Sequence, residues 1–379
     1  MNKRFKILII IDWFPPAYRA GGPIRSTVNL IDSLSEFFDF YILTSNRDLG
    51  NIKLNVNHSR WLDYDTSVKV FYVDMDKSPF ATIKEQIHSL KFDLAIVNGM
   101  YSWFYSILPV LLIKKRPLII FPRGMLSEHS LASKTFKKKL FLNIIKILPL
   151  YKKLHYAVTG EEEYNDLKKI FPSADIFMVP NLVKKPEEFV PTDKKPGELR
   201  LINLSRISPV KNIELALEAL KDNYNGKITY DIYGHSDNNE YLNKLKKISA
   251  KLPENIEVNF KGGYSGNTTE LIRKYHFLFS TTKGENFGHS VYEAFSAGRP
   301  VIISDNTPWK NLELYNIGWD LPLEKKNFTE KIKLCLSMDN AQYRKMSLAA
   351  WQFAQQYYDR NKRNIQTLYF KLINIIKNG

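Results

Sequence analysis

Short apolar, β-branched runs alternate with stretches of helical periodicity along most of the chain, the pattern of an α/β protein built on parallel sheets. In the first half, Phe5 to Ile11, Phe38 to Thr44, Val68 to Val73, Leu94 to Val97 and Leu118 to Phe121 read as strands buried on both faces, and Tyr156 to Thr159 and Ile176 to Val179 as two more. Near Val183 the alternation lapses into Lys184-Lys185-Pro186-Glu187-Glu188 and then Pro191-Thr192-Asp193-Lys194-Lys195-Pro196-Gly197. This polar, proline-punctuated stretch offers few side chains to a core and reads as an interdomain linker. The alternation then restarts: strand Leu199 to Leu204, helix Ile213 to Lys221, strand Ile228 to Tyr233, helix Glu240 to Lys251, and strands Ile256 to Phe260, Phe277 to Ser280 and Arg299 to Ile303. From Thr329 only helical periodicity remains, carried by Trp351, Ala354 and Tyr358 and then by Ile365, Leu368, Leu372 and Ile375. Two Rossmann-like domains in tandem account for this most simply: residues 1–183, a linker at 184–198, residues 199–357, and a C-terminal helix at 358–379.

The length of 379 residues agrees with two domains of about 150 to 200 residues each. Hydrophobic residues make up 44% and charged residues 25%, which argues against disorder, collagen-like repeats and a membrane channel. The single cysteine, Cys335, leaves no partner for an intramolecular disulfide and no cysteine zinc cluster, so a reducing compartment is expected. At the N-terminus, Asn2-Lys3-Arg4-Phe5-Lys6 leads into an apolar run that ends at Asp12, too short for a signal peptide. No window reaches the roughly 18 to 20 apolar residues of a membrane span; the nearest, Ile107 to Ile113, stops at Lys114-Lys115-Arg116. A cytoplasmic protein is the expectation. The net charge of +16 then narrows the partners to nucleic acid, an anionic membrane surface or phosphorylated small molecules.

The segment Lys283-Gly284-Glu285-Asn286-Phe287-Gly288-His289 follows a strand and opens a helix that carries Glu293 one to two turns in. A helix start exposes free N–H groups and partial positive charge, which suits a diphosphate, and carboxylates beside it would accept sugar and ribose hydroxyls. Taken alone, the same carboxylates also fit a plain helix-terminal charge and a solvated helix face. The first strand-to-helix turn of the second domain, Asn203 to Asn212, adds Arg206 and Lys211, a planar fork and a point charge that together fit a diphosphate. Tyr233-Gly234-His235-Ser236 adds a glycine turn after the next strand.

These segments together resemble the retaining glycosyltransferases of family four, which have the GT-B fold of two Rossmann-like domains facing across a cleft, with a C-terminal helix crossing back to the first domain. Glu285 and Glu293 match the family's E-x7-E pair, Arg206 and Lys211 its Arg/Lys pair, and Glu293 to Ile302 its E-A-x-A-x-G-x-P-V-I run, with Ser296 where alanine is usual. The resemblance implies that Arg206 and Lys211 hold the donor diphosphate, Glu285 lies at the transferred sugar and Glu293 binds the ribose. The loop Asn286-Phe287-Gly288-His289 would turn main-chain N–H groups toward phosphate or sugar.

The first domain has a turn of its own, in which Asp12-Trp13-Phe14-Pro15-Pro16 is followed by Ala20-Gly21-Gly22-Pro23 before a helix. The glycine pair lets a ligand approach the backbone, and its spacing is not that of a nicotinamide-binding turn. In the family this loop touches the donor phosphate or the acceptor, so Gly22 is a candidate for the donor and Gly21 for the acceptor side. In Phe121-Pro122-Arg123-Gly124-Met125-Leu126, Arg123 stands where the family commonly has a histidine near the strand end, and His129 is a candidate substitute.

Two D-x-D triplets, Asp63-Tyr64-Asp65 and Asp74-Met75-Asp76, carry no further ligands in their neighbourhood, no His/Cys cluster suggests zinc, and no nucleophile elbow suggests hydrolysis. No metal or cofactor is expected; the nucleotide-sugar is a co-substrate. Between Lys134 and His155 the chain carries Lys134, Lys137, Lys138, Lys139, Lys146, Lys152 and Lys153 with no acid, interleaved with apolar residues. On a wheel of about 100° per residue the lysines segregate imperfectly from the apolar arc, so a helix on the sheet and a contact with anionic lipid are both open. Nucleic acid is disfavoured, because no helix-turn-helix, zinc finger or RNP-type signature accompanies the charge. The implied activity is retaining transfer of a sugar from a nucleotide-sugar to a glycan or lipid-linked acceptor, in the setting of bacterial surface polysaccharide or lipopolysaccharide synthesis. The alternative is a catalytically silent nucleotide-sugar or polyanion binder. Base, sugar, acceptor and oligomeric state leave no mark in these residues.

Overall fold

A computed structural model describes residues 4–126, 145, 151, 154–236 and 238–378. The chain divides into two compact units, one made of residues 1–182 and 361–379, the other of residues 183–360.

The first unit holds strands β1 (Phe5–Ile10), β2 (Phe38–Ser45), β3 (Arg47–Asp48), β4 (Ile52–Lys53), β5 (Trp61–Asp65), β6 (Val68–Val73), β7 (Leu94–Asn98), β8 (Leu118–Phe121), β9 (His155–Val158) and β10 (Asp175–Met178). Its described helices include α1 (Gly22–Leu34), α2 (Pro79–Ser89), α3 (Leu108–Leu112) and α4 (Glu161–Ile170). Eight strands form one sheet in the order β10-β9-β8-β7-β1-β2-β6-β5, and β3 and β4 form a separate ribbon. All pairings in the large sheet are parallel except β5 with β6. Every residue of β7 and β8 is buried, because helices cover both faces of a parallel sheet and leave no polar side. Strand β5, by contrast, is short, and two of its five residues are acidic. Such residues suit an exposed edge, and their polarity is why the apolar pattern did not reveal the strand. Both D-x-D triplets are engaged by cations: Asp63 pairs with Lys69 across the β5–β6 edge at 2.5 Å, and Asp76 pairs with Arg47 and Lys53.

The second unit contains β11 (Glu198–Leu204), β12 (Lys227–Tyr233), β13 (Ile256–Gly262), β14 (Phe277–Ser280), β15 (Val301–Ser304) and β16 (Gly318–Leu321) in one parallel sheet, ordered β13-β12-β11-β14-β15-β16. This is the doubly wound arrangement, with the order reversing between β11 and β14. The helices are α5 (Ile213–Leu220), α6 (Asn239–Ser249), α7 (Thr268–Ile272), α8 (His289–Ser296), α9 (Lys325–Ser337) and α10 (Asn340–Asn378). Helix α10 is shared between the units, which divide after Arg360. Ala350 and Ala354 lie in the core of the second unit, whereas Leu368, Leu372 and Ile375 pack with Ile7, Ile9, Phe38 and Phe40 in the first. Among the described residues, no helix is long and apolar enough to cross a membrane.

The stretch 184–198 does pack, contrary to the reading of it as a linker poor in packing groups, and residue 198 already belongs to β11. It docks through main-chain carbonyls, through the Phe189 ring, 5.9 Å from that of Trp351, and through the Lys194 side chain. Trp351 donates to Glu187 O at 2.7 Å and Gln355 to Pro186 O at 3.3 Å. Lys194 is 1% exposed and donates to Leu336 O and Met338 O, at 3.3 and 2.9 Å, so that its ammonium caps the C-terminal end of α9.

His276, just before β14, is fully buried. Its Nδ1 accepts from the Arg200 N–H at 3.1 Å, so Nε2 carries the proton and donates to Asp193 O at 3.2 Å. Burial, with a smaller contribution from Arg200, lowers its pKa from 6.5 to about 3. The unfolded chain therefore binds a proton that the folded chain refuses between those values. Stability contributed by the neutral imidazole is complete above pH 6.5 and is lost as the pH falls toward 3. Urea unfolding should show stability dropping by about 2 kcal/mol from this group between pH 7.5 and pH 5, and His276→Asn should flatten that slope.

Candidate active site

In doubly wound sheets ligands bind beyond the carboxyl ends of the strands where the strand order reverses, which in the second unit means the loops after β11 and β14. The loop after β11 passes through Arg206, a short 3-10 turn at Pro209–Lys211, and Asn212, whose left-handed backbone (φ 53°) starts α5. The loop after β14 is tied to it. Lys283 N–H donates to Val210 O at 2.8 Å, and Thr281 Oγ1 donates to Asn212 O at 2.8 Å. These bonds bring Lys211 and Glu285, 74 positions apart, into a direct ion pair between Nζ and Oε1, with side chains only 14% and 19% exposed. A cation and a carboxylate at such a location can bind a phosphate oxygen and a sugar hydroxyl side by side.

The remaining residues of this edge fall into place around the pair. Arg206 is exposed on the same loop. Gly288 caps α8 with φ 78°, a conformation that favours glycine, and the helix carries Glu293, partly buried, in its second turn. Asn286 is exposed, and His289 begins the helix. The side chain of Phe287 is buried, its ring 5.2 Å from Trp309 and 4.8 Å from His289, and its carbonyl accepts the Trp309 indole N–H. Phe287 thus anchors the loop through its ring and leaves only its main chain for a ligand. The N–H of Glu285 is already bonded to Asn306 O at 3.1 Å. Gly234 is required by close approach: a Cβ there would lie 1.8 Å from Ser205 O, so any side chain would push away the loop that carries Arg206.

At the carboxyl edge of the first unit, Gly21 (φ 68°) caps α1, Gly22 is its first residue, and the space a Cβ of Gly21 would enter is open. Arg123, after β8, has a left-handed backbone (φ 56°), donates from Nε to Asn98 Oδ1 at 2.9 Å and lies over the Phe121 ring at 4.6 Å. Burial pulls the pKa of its guanidinium down while the nearby Glu163 carboxylate pulls it up. Glu163 accepts from the Gly124 N–H and from the Thr159 N–H, the latter at 2.8 Å, fixing the loop that holds Arg123. His129, Lys134, Lys137, Lys138, Lys139 and Lys146 lie outside the described residues. Among the described residues, no group of three or more His, Cys, Asp or Glu is arranged to hold a metal ion.

Three residues escaped the sequence reading. Arg299 and His276 sit in apolar or motif surroundings that gave no sign of their polar contacts. Asp12 reads as the end of an apolar run and the start of a loop, with no partner in view, yet its carboxylate accepts from Ser102 Oγ at 2.6 Å.

Two Rossmann-like units with these parallel-sheet orders have the GT-B fold of glycosyltransferases. The chain is similar along its whole length to solved members: an Anabaena protein, HepE, in complex with UDP and glucose (TM-score 0.68, 14% identity, 98% of this chain and 100% of that one), and sucrose-phosphate synthase from Thermosynechococcus elongatus (TM-score 0.70, 15% identity, 98% and 100%). Residues 184–347, most of the second unit, match the family model for glycosyl transferases group 1. Among curated proteins, the poly(glycerol-phosphate) alpha-glucosyltransferase of Bacillus subtilis (strain 168) is 26% identical over 204 residues, 52% of this chain and 29% of that protein. The chain therefore aligns with under a third of that relative's length.

Proposed function

We propose that this protein is a retaining, metal-independent glycosyltransferase that moves a sugar from a nucleotide-sugar to a glycan or lipid-linked acceptor in bacterial surface polysaccharide synthesis. The observation that carries the reading is the Lys211–Glu285 pair at the strand-order reversal of the second unit, inside the region that matches glycosyl transferases group 1. In the reaction the bond from the anomeric carbon to the diphosphate oxygen breaks with its electron pair going to the diphosphate. A bond to the acceptor oxygen forms on the same face, and the acceptor's proton passes to the departing phosphate. Lys211, Arg206 and the N–H groups at the start of α8 stabilise the negative charge on the leaving group, the point where fixed electrostatics lower the barrier most. Glu285 orients the transferred sugar and Glu293 the ribose. The UDP complexes of HepE and the glucosyltransferase relative make UDP-glucose the first donor to test.

The test is turnover of a set of nucleotide-sugars: release of nucleoside diphosphate that is slow in water, faster with a glycan acceptor and insensitive to EDTA, with the anomeric configuration retained in the product. Failure of every nucleotide-sugar to turn over would overturn the reading. We place the enzyme on the inner face of the cytoplasmic membrane, held by the lysine-rich stretch. Flotation with liposomes containing anionic lipid should be lost in the Lys137→Glu, Lys138→Glu, Lys139→Glu triple variant, since each basic residue near such a surface contributes about 1 kcal/mol.

A further inference from the structure

The loop that carries Glu285 and opens α8 leans on a second loop, residues 305–312, which follows β15. That second loop is fixed to β16 at both ends. The Asp305 N–H donates to Leu321 O at 2.8 Å, and the N–H groups of Asn311 and Leu312 donate to the Asp320 carboxylate at 3.1 and 2.9 Å. Three bonds join this loop and the end of β15 to the site loop: Ser304 Oγ to Thr282 O at 2.5 Å, Glu285 N–H to Asn306 O at 3.1 Å, and the Trp309 indole N–H to Phe287 O. The indole is buried among the rings of Phe287, Phe295 and Tyr357, at 5.2, 5.6 and 5.2 Å, so its N–H is a fixed donor. A peptide unit is planar and trans, with its carbonyl and its N–H pointing in opposite directions. By holding Phe287 O, the indole therefore turns the Gly288 N–H away from itself. Gly288 fits this role: its φ of 78° suits glycine, and a Cβ there would lie 3.3 Å from Trp309 Nε1. Val291 and Tyr292 donate to Gly288 O at 2.9 and 3.4 Å, so the Gly288 N–H stands ahead of the helical hydrogen bonds of α8.

We propose that Trp309 is a positioning residue of the site: through Phe287 O it aims the Gly288 N–H at the phosphate that bears the transferred sugar. The assignment rests on the glycosyl-transfer reading above and adds the residue that fixes one of its phosphate donors. Trp309 acts through a single peptide unit and not on the reacting atoms. Glu285 is held separately, through Asn306, and keeps its place when the indole is removed. The consequence is selective: a ligand with a second phosphate senses Trp309, and a ligand with one phosphate does not.

The experiment compares the parent with Trp309→Phe, which keeps an aromatic ring and removes the N–H, and with Phe353→Leu. The latter thins the same ring cluster, 6.3 Å from Trp309, and leaves the indole in place. Calorimetric titration uses UDP and UMP, or the di- and monophosphate of whichever nucleoside the parent binds. In Trp309→Phe the affinity for the diphosphate should fall about 10-fold, the size of one lost charge-assisted hydrogen bond, and that for the monophosphate should stay within about 2-fold. Phe353→Leu should bind both as the parent does. With the nucleotide-sugar, kcat should fall about 10- to 100-fold in Trp309→Phe, because the misaimed N–H meets charge that develops on the leaving group. Equal losses for the two nucleotides in folded Trp309→Phe, or a loss for neither, would overturn the assignment. Amide hydrogen exchange without ligand reads the same contact independently of nucleotides. Exchange at Val291 and Tyr292, which bond to Gly288 O, should quicken about 10-fold in Trp309→Phe and not in Phe353→Leu. Equal exchange in parent and Trp309→Phe overturns the assignment. Should Trp309→Phe not fold, Trp309→Leu takes its place in both measurements. Failure of the parent to bind or turn over any nucleotide counts against the transfer reading and leaves the exchange to decide the role of Trp309.

Discussion

Replacing Glu285 by Gln, or Lys211 by Met, is expected to lower donor turnover by about 10²- to 10³-fold, the cost of deleting one group that meets charge developing in a transition state. Both substitutions should also lower stability. In either single variant the partner remains as a lone charge in a site where the paired side chains are only 14% and 19% exposed, and a loss of about 1 to 3 kcal/mol follows from the missing hydrogen-bonded partner. The double variant Lys211→Met, Glu285→Gln leaves no lone charge, so it should recover part of that stability while turnover stays low. Thermal unfolding beside a nucleotide-release assay separates the two effects, and coupling in the double variant is expected because the residues touch. Full turnover by either folded single variant would remove the pair from the active site.

Arg299→Ala should be the most destabilising of the single substitutions considered, by about 3 to 5 kcal/mol, read as a fall in the urea midpoint with unchanged dependence on denaturant. Arg299 is wholly buried and donates to carbonyls and hydroxyls. Nη1 donates to Ala297 O and Gly298 O, both at 3.0 Å, at the C-terminal end of α8, and Nη2 donates to Arg273 O at 2.8 Å and to the Thr192 hydroxyl. Burial lowers its pKa, and the negative end of the helix together with the carbonyl cage keeps the cation in place. Truncation leaves these acceptors buried without donors and opens a cavity as large as the side chain. Arg299→Lys should recover only a fraction, because a single ammonium cannot span both arms of the fork. Since Arg299 holds Thr192, and Gly298 beside it has φ 69°, its loss should also loosen the segment that leads into β11.

Strands buried on both faces, such as Leu94–Asn98, write themselves as continuous apolar runs and were legible, as were the order of strands and helices and the polar turns after β11 and β14. The edge strand Trp61–Asp65 was not, because one solvated side breaks the run. Segment 184–198 was legible as polar but not as docked, since Trp351 and Gln355 bind its carbonyls, which every residue carries and no side-chain pattern records.

For the candidate site the sequence by itself determined which residue types stand at strand ends: Arg206 and Lys211 after β11, Glu285 and Gly288 after β14, Gly21 and Gly22 after β1. Only the tertiary structure decided which of them meet. Lys211 reaches Glu285 because parallel strands β11 and β14 lie side by side and their following loops share hydrogen bonds, a neighbourhood set by strand order and not by separation along the chain. The same holds for Asp12 and Ser102, joined across β1 and β7, where burial pushes the carboxyl up to about 6 against the opposing Ser102 hydrogen bond.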